Sequence, residues 1–481
     1  MPFVSAFTYH RQFQPDSPAV FFPDAQEMPA SYSDVDRITR SLAAHVIQMG
    51  VTRGDIVALT ILNDFLHAML LLTCARLGIV TMSGRPEQLG GTVTIKKWFC
   101  DRPPQLSSGT EAAAHQFTLV DENWMGSGDV GGDEPNFILP AADDLCRIML
   151  TSGSTGRSKG VALTYGMVEE RINACLYVFG SDFPNHGKIM CAMKLSSSLG
   201  FVFLFYALAR GGFFCSDSAQ FERITGTLKR FDVKALIISP YGLSEMLAYC
   251  NTHSTSLHVD SILTAGSLIS PLLARSVRNT LCDQFVVFYG TTETGVISAC
   301  WWDGDMGEVG IVVPGRRVEI LGPDDASVPD NSPGTICIRA TSGALPYYNV
   351  SELEDRRPND RFCPGDIGVL DARGRLFLHG RADNIINAGG SKTTYESLEQ
   401  AIMMAPGIQD CGIVCRTSEV GITQVIAALV VGPHWDQQVF LEYCEKNLAR
   451  EFLPSKFVML KKIPRNQGNK VDRETLSKLA S

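Results

Sequence analysis

The sequence lacks the features that would mark a metal protein, a nucleic-acid binder or a membrane protein. Its nine histidines are scattered, and none falls in H-x-x-x-H or H-E-x-x-H, so no protein-bound zinc is expected. None of its 14 cysteines forms a C-x-x-C pair; Cys411 and Cys415 come nearest, at C-x-x-x-C. Most, such as Cys74 and Cys337, sit in apolar surroundings. They read as reduced core residues of a cytoplasmic protein, not as a disulfide frame. Positive charge is not in surplus: a net charge of -9 leaves nothing to neutralise a phosphate backbone, which argues against a general nucleic-acid partner. No apolar run reaches the roughly 18 residues that cross a bilayer, so no transmembrane segment is expected. Met1 to Pro15 has no basic stretch followed by an apolar core, so no secretory signal is expected either. Internal repeats and low-complexity tracts are absent. What remains is an ordinary balance, 45% hydrophobic and 19% charged over 481 residues, a length that suits about two to four domains.

One stretch stands out from this background: Thr151-Ser152-Gly153-Ser154-Thr155-Gly156-Arg157-Ser158-Lys159-Gly160. The apolar run Leu145 to Leu150 leads in and Val161-Ala162-Leu163 leads out, which predicts a tight loop between two strands. Glycines let backbone N–H groups approach a ligand closely, hydroxyls add donors, and Lys159 adds a point charge. That chemistry suits a polyphosphate. The loop is not the Walker pattern, which needs G-x-x-x-x-G-K-[ST] before a helix. Taken alone, it also fits a Ser/Gly surface turn.

Along the chain, residues 1–30 read as irregular, with prolines at 15, 18, 23 and 29. A helix is predicted from about Ser33, a candidate N-cap, with Val35, Ile38, Leu42 and Val46 at helical spacing. A buried strand at Ile56–Thr60, an apolar helix at Phe65–Leu77 closed by Gly78, and a strand at Ile79–Met82 follow. This rhythm predicts an α/β fold, a mostly parallel sheet wrapped by helices. Residues 84–143 are poorly patterned. After the Ser/Gly loop, Thr164 caps a predicted helix; Gly200–Leu208 is another, and the strands at Ser261–Thr264 and Phe285–Phe288 end in Ala265-Gly266 and Tyr289-Gly290-Thr291-Thr292-Glu293-Thr294-Gly295. Near Val309 the pattern changes to short strands between turns, a small β-barrel subdomain over about 309–380. Beyond it lies a small α+β unit ending in a loop that carries Lys470.

Four stretches in this order, Thr151–Gly160, Tyr289–Gly295, Gly365-Asp366 with Gly380-Arg381-Ala382-Asp383, and Pro464–Arg473, resemble the adenylate-forming (AMP-binding) superfamily of acyl-CoA synthetases, peptide-synthetase adenylation domains and luciferase-like ligases. The resemblance implies a large N-terminal domain over 1–382 and a mobile C-terminal domain over 383–481, with Asp383 as the hinge. It implies ATP and Mg²⁺ as cofactors. Thr151, Ser152, Gly153, Ser154, Thr155, Gly156 and Lys159 would hold the β- and γ-phosphates. Thr292 would meet the α-phosphate, Glu293 the Mg²⁺, and Tyr289 the adenine, with Gly266, Gly290 and Thr291 beside the nucleotide. Asp366 would accept from the ribose hydroxyls and Arg381 would reach ribose or phosphate. Lys470 would be the catalytic lysine, and Lys392 would serve the second conformation.

The same resemblance places Ser197 where many members have an aromatic or histidine gate. Ser198 falls where amino-acid-activating members have an aspartate for the α-ammonium. Burying an ammonium without a partner is expensive, so the acid is expected to lack a free α-amino group. Phe201, Val202 and Phe205 suggest an apolar or aromatic acyl pocket, although packing of the helix on the sheet accounts for them equally well. Asn384, Tyr395, Ser397 and Asn469 depart from the family pattern, which bears on the thiol step. The resemblance implies activation of a carboxylic acid and its transfer to CoA. The alternatives are a stand-alone enzyme that loads a phosphopantetheine on an acyl or aryl carrier protein, and a nucleotide-binding relative without ligase activity.

Overall fold

Two helices set the packing of the first half of the chain. From Phe65 on, Asp64–Leu77 is buried on every side, and Ser198–Ala209 is buried from Gly200 to Leu208. A helix that is apolar all round has to lie between layers of other elements. Its ends still need polar partners. For Asp64–Leu77 the Asn63 side chain accepts from the Leu66 amide, and Gly78, at φ 70°, turns the chain out of the helix. For Ser198–Ala209 the Ser197 hydroxyl accepts from the Gly200 amide. The computed structural model describes the chain except residues 1, 87–93, 105–116, 127–134, 136, 138, 153–157, 180–186, 219, 306, 341–360, 389–390, 418–422, 466–470 and 481.

The expectation of an irregular N-terminus is overturned. Phe3–Phe13 is a helix, followed by the strands Pro18–Phe21 and Ala30–Ser31. Phe3, Val4, Ala6 and Phe7 form a short apolar stripe buried against Ser198–Ala209, and Phe3 meets Phe205 edge-on at 4.9 Å. The prolines that suggested irregularity all lie beyond this helix. The next helix, Tyr32–Gln48, begins earlier than expected: Ser31, not Ser33, is its N-cap, in a capping box with Asp34.

Among the described residues the central layer is a thirteen-stranded sheet. Its parallel core runs Cys282–Thr291, Val259–Ala265, Ala235–Ile237, Lys188–Cys191, Phe213–Ser216 and Pro18–Phe21. On the other side of Cys282–Thr291 the pairing turns antiparallel, through Gly295–Trp301 and Glu308–Val312 to Arg375–Arg381, Asp366–Leu370, Gly334–Ala340 and Arg316–Leu321. The strands expected after Val309 thus exist and extend the long sheet. A second sheet orders Phe117–Leu119, Lys97–Cys100, Ile56–Thr60, Val80–Ser83, Leu145–Ser152 and Ser158–Thr164, parallel except for the last pair. The poorly patterned stretch 84–143 therefore supplies two strands of this sheet, Lys97–Cys100 and, at its edge, Phe117–Leu119. Beyond Arg381, the strands Ile408–Thr417, Thr423–Val431 and Lys456–Met459 form a three-stranded sheet, and their apolar clusters draw only on residues from 386 onward.

The reading of Cys337 as a reduced core thiol is also corrected. Cys337 is joined to Cys363 in a disulfide, with Cα atoms 4.3 Å apart. Ile338 and Phe362 exchange backbone hydrogen bonds of 2.8 Å in both directions, which sets their neighbours Cys337 and Cys363 opposite each other. A pairing across 26 residues leaves no spacing signal in the sequence. The other twelve cysteines are free, and eleven are buried. No helix among the described residues is long and apolar enough to cross a membrane.

Candidate active site

The two strands expected on either side of the Ser/Gly stretch are present and pair with each other. Leu145–Ser152 pairs antiparallel with Ser158–Thr164, and Thr151 stands opposite Lys159, its hydroxyl donating to the Lys159 carbonyl at 3.3 Å. Gly153, Ser154, Thr155 and Gly156 lie outside the described residues, as does the Ser152 side chain. The chain then enters the helix Tyr165–Phe179, whose start is capped by the Thr164 hydroxyl accepting from the Met167 amide at 3.2 Å.

Tyr289 to Thr291 end the central strand, and Thr292–Thr294 turn the chain back into Gly295–Trp301. The turn is tight. A Cβ at Gly290 would collide with the Gly295 carbonyl, and Gly295 itself adopts φ 71°, so both positions need glycine. The Thr291 hydroxyl accepts from the Thr294 amide at 3.1 Å. Gly266, at φ 102°, follows the neighbouring strand, whose Ala265 pairs with Phe288.

The Gly365-Asp366 turn comes to the same place. Tyr289 donates its phenolic hydroxyl to Asp366 Oδ2 at 2.7 Å, and Arg381 lies 3.6 Å from Asp366 Oδ1. Asp366 and Arg381 are also strand partners, so register places the cation beside the carboxylate. Burial, first, and the adjacent Asp366 carboxylate push the Tyr289 phenol well above its usual range. Arg381 also donates to the Pro364 carbonyl at 3.1 Å and stands 3.5 Å from Asp383, which is exposed.

Two arginines that no motif singled out hold the Thr292–Thr294 turn from behind. Arg171, on Tyr165–Phe179, donates to the carbonyls of Thr292 at 2.7 Å and Glu293 at 3.2 Å, and to the Ser198 hydroxyl at 3.1 Å. Arg316 donates to the Thr294 carbonyl from Nε at 3.1 Å and Nη2 at 2.7 Å, and its Nη1 is paired with Glu170. Three successive carbonyls are thus tied down by guanidinium groups. Burial lowers the pKa of Arg171 to about 10, against the raising effect of the Glu293 carboxylate, so it is cationic at neutral pH. Glu169-Glu170-Arg171 matches none of the motifs read from the sequence, so the sequence alone carried no signal for this role.

Ser197 is the N-cap already described and also donates to the Lys194 carbonyl at 2.7 Å. Ser198 opens the helix and is half-buried. Phe201 is buried between the Arg147 guanidinium, 4.5 Å from its ring centre, and Phe205. The Lys392 backbone lies in the short hairpin Ile385–Ala388 with Ser391–Thr394; nothing of its side chain is described. Lys470 falls outside the described residues, but the bridge from Arg465 to Val471 brackets its loop, and Arg465 is anchored on Asp410 at 2.8 Å. Glu293 offers one carboxylate next to Thr292, a hard donor suited to Mg²⁺ with its other ligands from phosphate and water. A second acidic group, Asp303, Asp305 and Glu308, is already engaged by Arg375, 3.1 Å from Asp305 and 3.5 Å from Glu308.

Comparison with known proteins gives the family and the fold. The family model described as AMP-binding enzyme matches residues 7–348. A 4-chlorobenzoate–CoA ligase from Arthrobacter is 26% identical, over 98% of this chain and 93% of its own length. An indoleacetate–CoA ligase from Aromatoleum aromaticum is also 26% identical, over 98% and 97%. Among solved structures, the o-succinylbenzoate coenzyme A synthetase (MenE) of Bacillus subtilis in complex with AMP superposes with a TM-score of 0.82 at 20% identity, covering 98% of this chain and 97% of that one. The anthranilate CoA ligase AuaEII in complex with anthranoyl-AMP gives 0.84 at 16% identity, over 100% and 97%. The mixed α/β fold is therefore shared along the full length.

Proposed function

Because the chain belongs to the AMP-binding enzyme family, we propose that it uses ATP to activate a carboxylic acid as an acyl-adenylate and then transfers the acyl group to coenzyme A. The observation that carries this reading is the hydrogen bond from Tyr289 to Asp366, which joins two motifs 77 residues apart into one site. The CoA ligases it resembles support CoA as acceptor and an apolar or aromatic acid as substrate.

In the first step a carboxylate oxygen attacks the α-phosphorus, the bond to the bridging oxygen breaks, and pyrophosphate leaves. Such chemistry needs alignment and charge neutralisation more than covalent help. Mg²⁺, when bound, neutralises phosphate charge. Glu293 is its protein ligand in this reading, and Thr292 meets the α-phosphate. Thr151, Ser152, Gly153, Ser154, Thr155, Gly156 and Lys159 cradle the outer phosphates, with Gly266, Gly290 and Thr291 lining the nucleotide. Asp366, its two oxygens oriented by Tyr289 and Arg381, accepts from the ribose hydroxyls. Lys470 supplies charge to the α-phosphate and the incoming carboxylate. In the second step the CoA sulfur attacks the acyl carbon and AMP leaves.

We assign 1–382 to an N-terminal domain with a barrel-like antiparallel region, and 383–481 to a C-terminal domain that rotates about Asp383 and brings Lys392 into play. The separate apolar clusters beyond residue 386 support this division. At the junction, the Thr394 and Ser397 hydroxyls both donate to the His379 carbonyl, and Asn384 donates to Glu396. Acid-dependent ATP–pyrophosphate exchange over a panel of acids tests the proposal. Exchange with no acid overturns it in favour of a nucleotide-binding relative without ligase activity. Exchange followed by transfer to a phosphopantetheinylated carrier protein, and not to CoA, favours the loading enzyme.

A further inference from the structure

We propose that the Cys337–Cys363 cystine is a redox-controlled brace for Asp366: oxidised, it holds that carboxylate in place for the nucleotide; reduced by a dithiol, it lets the carboxylate drift and weakens ATP binding. The inference rests on the ribose-binding role proposed above for Asp366 and adds a regulatory device to it.

Asp366 lies on a bulge. The strand Gly334–Ala340 pairs with its neighbour at Thr335 and Ile367, and pairs again at Ile338 and Phe362. Between Thr335 and Cys337 there is one residue, Ile336; between Cys363 and Ile367 there are three, Pro364, Gly365 and Asp366. Extra residues on one strand of a pair bend it and re-aim a side chain. Both ends of this bulge are fixed on Gly334–Ala340. The Thr335–Ile367 pair closes one end. The disulfide and the two Ile338–Phe362 hydrogen bonds close the other. On the bulge itself, the Pro364 carbonyl accepts from Arg381 at 3.1 Å and the Gly365 carbonyl from the Ala382 amide at 2.7 Å. The covalent anchor thus stands three residues before the carboxylate that Tyr289 meets.

A disulfide framework pairs most of its cysteines, whereas here twelve stay free beside one pair. A single cystine among so many thiols fits redox sensing better than a framework. Cys363 is half-buried and Cys337 is 1% exposed, so a dithiol attacks at Cys363. Its thiolate bonds to the Cys363 sulfur, the Cys337–Cys363 bond breaks, and Cys337 leaves and takes up a proton, because a charge buried there is costly. The second thiol of the reductant then attacks the mixed disulfide, and Cys363 leaves as a thiol. Two electrons have passed to the cystine, and the dithiol has become a disulfide. Phe362 stays buried and hydrogen-bonded to Ile338, so the fold survives and the bulge alone gains freedom.

The test is the ATP affinity of the full chain, with Mg²⁺, before and after dithiothreitol, with alkylation and peptide mapping to follow this bond. Reduction should raise the Kd for ATP about fivefold, somewhat less than the worth of one hydrogen bond to a charged group. The Kd for 2′,3′-dideoxy-ATP, which lacks the hydroxyls that Asp366 accepts, should move by less than about twofold. A disulfide that serves stability alone would not separate the two nucleotides. Cys363→Ser should bind ATP as the reduced protein does and ignore dithiothreitol; if it folds poorly, the two states of the wild-type chain carry the comparison. A cystine that resists dithiothreitol in the folded protein, equal ATP affinities in the two states, or equal losses for the two nucleotides overturns the inference alone. No ATP binding in either state overturns the proposed function and the inference with it.

Discussion

Replacing Arg316 by methionine separates positioning from packing at the Thr292–Thr294 turn. The side chain is 4% exposed and makes two hydrogen bonds to the Thr294 carbonyl and an ion pair with Glu170. Methionine keeps much of the volume but leaves the carbonyl without those donors and Glu170 without its cation. Removing one partner of a fully buried pair costs about 3–5 kcal/mol. Glu170 retains 24% exposure, so the figure here should be lower, about 2–3 kcal/mol. The double variant Glu170→Met with Arg316→Met has no orphaned carboxylate and should recover about 1 kcal/mol of that loss. Thr294 adjoins Thr292 and Glu293, so a catalytic effect should accompany the stability effect. A displacement of about 1 Å of positioned groups costs on the order of 100-fold in rate. The assay is pyrophosphate exchange at saturating ATP and acid, read beside denaturant unfolding of each variant. Arg316→Lys, which keeps the charge but loses the fork, should fall between wild type and Arg316→Met. Two results would refute the reasoning: an Arg316→Met turnover within twofold of wild type, or a double variant no more stable than the single one.

Three further outcomes are expected. Lys470→Ala should abolish pyrophosphate exchange, a loss of roughly 3–4 kcal/mol of transition-state stabilisation, and still form thioester from supplied acyl-adenylate; normal exchange would end the assignment. Thiol titration of the unreduced, denatured protein should find two thiols fewer than after reduction, and Cys363→Ser should lower stability by about 3.5 kcal/mol, from the entropy of closing a 26-residue loop; equal thiol counts would remove the pair. Asp64 is held up to about 6, by burial first and then by Asp24 and Asp217. A carboxyl raised in the folded state favours folding below its unfolded pKa, and that contribution is lost as pH rises through the folded value. Asp64→Asn should therefore stabilise the protein at about pH 7 and have little effect near pH 3, and an equal effect at both pH values would show that Asp64 does not titrate in this way.

Local chemistry made part of this molecule legible. The hairpin around Thr151–Lys159 could be read because apolar runs flank it on both sides. The helix Asp64–Leu77 could be read because thirteen consecutive residues are compatible with burial and Gly78 ends them. The Tyr289–Gly295 turn announced itself through glycines that no other residue can replace. The start of Tyr32–Gln48 was misplaced by two residues because three candidate caps stand together, and only the bond from Ser31 to Asp34 chooses among them.

What the sequence by itself determined is the order of the four motifs and the periodicity of the elements that carry them, since both depend on neighbours along the chain. Only the tertiary structure decided that Tyr289 meets Asp366, that Arg171 and Arg316 grip one turn, and that Cys337 faces Cys363. Those pairs are 77, 121 and 26 residues apart in the cases of Tyr289 with Asp366, Arg171 with Thr292, and the two cysteines. The physical reason is that strand register and helix packing bring them together, and register is set by the buried face of a whole sheet rather than by any single residue.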